Sequence, residues 1–166
     1  MNHATAMELL LWFGARELAQ VAVPEDHPPV TPELMRRTIA QENRDDCTPE
    51  EIAAADAGMT AIQRALSDAT RLVESHLALR HALPLSAGQV AQSPLPRICG
   101  AIARRLLHHD RAPDAVNAGY TQAMTWLQDL AQGRTGIVGG AVIGAGAPAC
   151  DAALRVFDHQ TLRGFA

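Results

Sequence analysis

The stretch Thr48-Pro49-Glu50-Glu51, followed by some thirty residues without another proline, constrains this chain more than any other feature. Thr48 is placed to cap a helix, Pro49 suits its first position, and Glu51 stands three residues on, the capping-box spacing. From there Ile62, Leu66, Ala69, Val73 and Leu77 recur at steps of three and four, while Gln63, Arg64, Ser67, Asp68, Arg71 and Glu74 fill the other face. A helix from Pro49 to about His81, with a possible bend at Gly58, is the reading. Its end is set by Leu83-Pro84-Leu85, because proline disfavours helical geometry in the residue before it. A chain built around so long an amphipathic helix needs other helices to cover it, and composition agrees. Hydrophobic residues make up 48% but aromatics only 4%, an alanine-rich balance that suits close helix packing. An all-α small bundle is expected.

The flanking segments read the same way. TAMELLLWFGARELAQVA predicts two short helices broken at Gly14, with Leu18 and Val21 inward. VPEDHPPV is a proline-rich loop, and Thr31-Pro32-Glu33 opens a further helix to about Arg44. AGQVAQSPLP reads as a loop of breakers. Arg97 to His109 resumes as helix with Ile98, Ile102 and Leu106 on one side and Arg104 and Arg105 mostly away from it. The last long helix starts at Pro113, carries Val116, Tyr120, Ala123, Leu127 and Leu130, and ends at Gly133. Residues 1–133 therefore form the helical domain, 134–150 a Gly/Ala-rich linker, and 151–166 an extended arm with Val156, Phe157, Leu162 and Phe165 as apolar anchors.

Charge and cysteine usage exclude several function classes. The net charge is -4 and every one of the 14 basic residues is an arginine, which argues against a broad phosphate-gripping face but favours paired contacts at interfaces. Cys47, Cys99 and Cys150 show no metal or disulfide spacing, and a reducing compartment is the simplest setting. The apolar MELLLWF is too short and carries Glu8, so neither a membrane span nor a signal peptide is expected. The glycine run GRTGIVGGAVIGAGAPA has neither phosphate-loop pattern. His108-His109-Asp110 reads as a helix end rather than a metal or acid-base site, and His76 with Arg80 as a polar edge at a helix end rather than an anion site. No reaction, cofactor or metal is indicated.

Three stretches carry a resemblance. ALSDATRLVESHLALRHALPL, LPRICGAIARRLLHHD and GYTQAMTWLQDLAQGRTGI look like the Mu-like prophage family of small neck proteins, as do the opening MELLLWFGARELAQV and the closing RVFDHQTLRGF. Ala65-Leu66, Asp68-Ala69, Leu77, Arg80 and Leu83-Pro84-Leu85 fit the family's pattern, whereas His76 and His81 stand where tyrosines are usual. The resemblance implies a structural virion protein: a head-tail adaptor, made in the host cytoplasm, that forms a twelve-membered ring of its own copies beneath the portal protein. A tail-side neck or tail terminator protein would be its other neighbour. Genomic DNA would pass through its channel without specific binding. Arg64, Arg71, Arg80, His81, Arg104 and Arg105, with Arg155, Phe157, Leu162 and Phe165 of the arm, are then the candidate subunit or portal contacts. The alternative is a small prophage-encoded helical DNA-binding or regulatory protein, suggested by Arg97, Arg104, Arg105 and Arg111.

Overall fold

A computed structural model describes residues 2–137, and every regular element within them is helical: α1 (Ala6–Phe13), α2 (Ala15–Ala22), α3 (Pro32–Ala40), α4 (Pro49–Leu77), α5 (Ala87–Ala91), α6 (Leu95–Leu107) and α7 (Asp114–Ala131), with one 3-10 turn at His109–Arg111. The all-α expectation is met. The expected arm, with Arg155, Phe157, Leu162 and Phe165, and nearly all of the linker lie outside the described residues.

Local chemistry explains most boundaries. Thr48 accepts from the Glu51 backbone N–H while the Glu51 side chain takes the Thr48 N–H, closing the expected capping box of α4. The same device starts α1 with Thr5 and Glu8. It also starts α5 with Ser86 and Gln89, so AGQVAQ, read as loop, contains a single capped turn of helix. α3 stops at Ala40, four residues short of the expectation. Gln41 there adopts a left-handed conformation, φ 57°, and the Glu42 N–H turns back to the Arg37 carbonyl. α6 begins two residues earlier than expected, with the Leu95 N–H turned to the Ser93 hydroxyl just before it. At the end of α7, Gly133 at φ 75° lets its own N–H reach the Leu130 carbonyl and the Arg134 N–H reach that of Asp129, the paired bonds of a Schellman turn.

α4 is the axis of the bundle. α1, α2, α3, α6 and α7 all pack against it, and α6 and α7 pack against each other. The expected stripe of Ile62, Leu66, Ala69, Val73 and Leu77 is buried throughout. α4 runs unbroken through Gly58, where the absence of a side chain admits Met35 of α3 and Val23. In α7, Val116, Ala123, Leu127 and Leu130 are buried as expected. α6 departs from its reading: Leu106 is exposed, and the inward face consists of Leu95, Ile98, Cys99, Ile102, Ala103 and Leu107. The rotation follows from α6 having neighbours on two sides, which a single apolar stripe does not show. Ile137, inside the glycine-rich stretch, is buried with the core.

Candidate functional site

The polar groups that could carry a function fall into three places. The first is the seam between α6 and the α1–α2 pair. Trp12 packs closely against Gly100, where an added Cβ would lie 2.5 Å from Cζ3 of the indole. The Arg97 guanidinium stacks over the Trp12 ring and the Arg104 guanidinium over the Phe13 ring, each 4.5 Å from the centroid. Arg104 also grips Glu17 through two bonds, Nε to Oε1 at 2.5 Å and Nη2 to Oε2 at 2.7 Å. His108, the residue that caps α6, sets its Nε2 3.0 Å from Glu17 Oε1. Burial opposes ionisation of Glu17, yet the bonds from Arg104 and His108 outweigh it and hold the carboxyl below its usual range. Arg97, Gly100, Arg104 and His108 stand three, four and four residues apart, so one stripe of α6 makes the whole seam.

The second place is the far end of α4. Arg80 donates from Nε to the Ala131 carbonyl at 3.2 Å and from Nη2 to the Gln132 carbonyl at 3.1 Å, serving orphan acceptors at the C-terminus of α7. Its guanidinium lies on Gly133, leaving no room there for a Cβ. His81 is buried beside it, with only 3% of its surface exposed. His76 does not join Arg80 around an anion: its Nδ1 sits 3.0 Å from the Leu72 carbonyl.

The third is the exposed side of α4 and the cleft beside it. Arg64 and Arg71 are exposed two turns apart, and Arg71 pairs with Asp68. No carboxylate pairs with Arg64 among the described residues. Arg64 and Asp68 line one wall of an open cleft of about 890 Å3, with Val21 to Glu25 and the segment from Leu106 to Arg111 opposite. Arg105 bonds the His109 carbonyl, and exposed Arg111 pairs with exposed Glu25 at 3.1 Å. On α3, Glu33 is bound by Arg36 and Arg37 and its carboxyl is pulled down to about 2, while Glu42 and Asp46 take the other sides of the two arginines.

The six candidate residues of the body therefore do not converge on one site. Arg64 and Arg71 remain on a solvent face, whereas Arg80, Arg104 and Arg105 have partners within the chain and His81 is buried. Sequence reasoning missed Trp12, Gly100, Glu17 and His3. The one available signal was the stripe from Arg97 to His108, polar at helical spacing and interrupted by glycine. Among the described residues no group of His, Cys, Asp and Glu could hold a metal, and no helix is long and apolar enough to cross a membrane.

The family profile described as Bacteriophage Mu, Gp36 matches residues 3–142. Similar curated proteins include the "Mu-like prophage FluMu protein gp36" of Haemophilus influenzae, 35% identical over 72 residues that cover 43% of this chain and 49% of that protein. "Gene product J" of Escherichia phage Mu is 32% identical over 73 residues, 44% of this chain and 50% of its own length. The chain thus spans about half the length of the curated relatives it matches.

Proposed function

From the premise that the chain belongs to the Bacteriophage Mu Gp36 family, we propose that it is a structural protein of the virion neck, a head-tail adaptor that assembles as a ring against the portal. The observation that carries this reading is the family match across nearly all of the helical body. The fold supports it in two ways. The described body closes a core around α4, and the proposal gives residues 151–166 the role of reaching a neighbouring subunit or the portal, with Phe157, Leu162 and Phe165 as anchors and Arg155 beside them. A ring also needs two unlike faces on each copy. The side of α4 with exposed Arg64 and Arg71 and the α3 side, where Arg36 and Arg37 bind Glu33, Glu42 and Asp46, are unlike faces of this kind.

The adaptor acts by geometry and performs no chemical step. The tail-side neck protein would meet the face turned from the portal, and DNA would traverse a channel that does not hold it. The DNA-binding alternative draws less support, because Arg97, Arg104 and Arg105 spend their guanidinium groups inside the chain.

The test is to mix the purified protein with portal and image the complex by negative stain. A ring seated on the portal is expected, and a chain cut after Cys150 is expected to fold and fail to attach. The absence of any higher assembly with portal present overturns the reading.

A further inference from the structure

A second cavity, of about 200 Å3, opens where the start of the chain meets the end of α4. Asn2, His3, Glu8 and Glu74 line one part of it, and Pro84, Leu85, Val90 and Pro96 are among its apolar walls. The His3 side chain is 5% exposed, and its Nε2 is buried without a hydrogen-bond partner, 3.7 Å from Glu74 Oε1. A buried ring nitrogen left unpaired costs free energy unless something fills the need. Burial also pushes the His3 pKa down, with the Glu74 charge opposing it, and the neutral ring in its Nδ1–H tautomer offers Nε2 as an acceptor. Glu8 and Glu74 add negative charge that no arginine of the described body pairs with. Acceptor, carboxylates and apolar walls together fit a guanidinium carried on an aliphatic stem.

The surroundings narrow the source. Five large apolar side chains are exposed among the described residues, and Met7 and Leu83 stand next in sequence to the cavity residues Glu8 and Pro84. The described chain ends at Ile137, just beyond Gly133, which touches Arg80 at this same end of α4. Residues 138–166 contain two basic residues, Arg155 and Arg163, flanked by Leu154, Val156, Phe157, Leu162 and Phe165. Residues 138–154 can span at most about 55 Å, enough for the cavity of the same copy or of the next. We propose that this cavity receives an arginine side chain, Arg155 or Arg163, of the chain's own residues 151–166, with Glu8 and Glu74 holding the guanidinium and His3 accepting from it.

The pairing goes beyond the neck assignment and is measured on the isolated full-length protein, so either can fail alone. Cys47→Ser removes the partly exposed thiol of the described body and Cys99 is fully buried, so a nitroxide reagent is directed to Cys150. A nitroxide on Cys150 is expected to broaden the amide resonances of His3, Glu8, Val90 and Ala91 selectively. The broadening is expected to vanish in Arg155→Gln/Arg163→Gln and in Glu8→Gln/Glu74→Gln, whose unchanged remaining resonances report the fold, and to be relieved by added agmatine. A mixture of isotope-labelled copies without nitroxide and unlabelled copies with it tells whether the arginine comes from a second copy; both routes uphold the pairing. Broadening centred elsewhere, or indifferent to the glutamate changes, overturns it. So does agmatine binding to the cavity with no nitroxide effect, which assigns the cavity to an outside cation.

Discussion

Two seams meet on α6, and they are built from opposite materials. Toward α4 the helix presents Ile98, Cys99, Ile102 and Ala103, all buried, with polar contact made by the Cys99 thiol, 3.5 Å from the Thr70 hydroxyl and 3.9 Å from the Leu66 carbonyl. Toward α1 and α2 it presents exposed Arg97, buried Gly100 and half-covered Arg104 and His108, engaged with two aromatic rings and a carboxylate. The first seam gains from the area removed from water and tolerates small changes of shape. The second depends on matched partners: its charges are desolvated enough that losing one of them leaves the others without compensation. An apolar seam loses stability by degrees, whereas a polar one loses it at particular residues.

The largest test of that contrast is Gly100→Leu, which drives a branched side chain into the Trp12 ring. A loss of about 3 kcal/mol is expected in urea unfolding, partly recovered by adding Trp12→Ala; no recovery would mean that α6 itself, and not the seam, is sensitive. Next is Glu17→Ala, which strands Arg104 and His108 and is expected to cost about 2 kcal/mol. The pH dependence follows from the same groups. Glu17 titrates lower in the folded chain, so its contribution is full above the unfolded carboxyl value of about 4.3 and is lost as pH falls through the lower folded value. His3 is held neutral by burial, so stability also declines as pH drops below about 6.5, the unfolded imidazole value, until the folded ring protonates. Thermal melts carried from about pH 7 to well below the unfolded carboxyl value are expected to show both declines, and Glu17→Gln to lessen the lower one.

Arg80→Met should cost about 1 kcal/mol, a helix-end contribution, since two carbonyls of α7 lose their donors. Hydrogen exchange is expected to speed up at the last turn of α7 and nowhere in the α1–α2 region. The smallest effect belongs to Arg36→Ala. Its bonds to Glu33 and Glu42 are numerous but exposed, and the smallest shift of the series in urea unfolding is expected, shrinking further in high salt. A larger loss would show that the α3 network behaves like the α6 seam despite its exposure.

How much could be read in advance differs element by element. Thr48, Pro49 and Glu51 act within one turn of chain, so the start of α4 was legible to the residue. The buried stripe of α4 was legible because the helix is covered from several sides and its apolar spacing is regular. α3 was read too long because Gln41 turns left-handed, a geometry that most residue types avoid and that no local pattern announced. Leu106 was placed inward because it continues the spacing of Ile98 and Ile102, while α6 packs against both α4 and α7 and buries Leu107 in its place. For the candidate contacts, exposure decided the outcome: Arg64 and Arg71 stay on the surface, Arg71 with only Asp68 of its own helix as partner, and Arg80 and Arg104 had distant partners that only folding supplies.

The sequence by itself determined the helical class, the capping box that starts α4 and the α4 axis, because each rests on residues within a turn or two of one another, whereas α4 was read to about His81 and ends at Leu77, six residues before Leu83. Only the tertiary structure decided that Glu17 meets Arg104 and His108, that Trp12 needs Gly100, and that His3 lies buried against Glu74 with a nitrogen to spare. Those contacts join the first eighteen residues to α4 and α6, and pairing over such separations is set by how the whole chain packs.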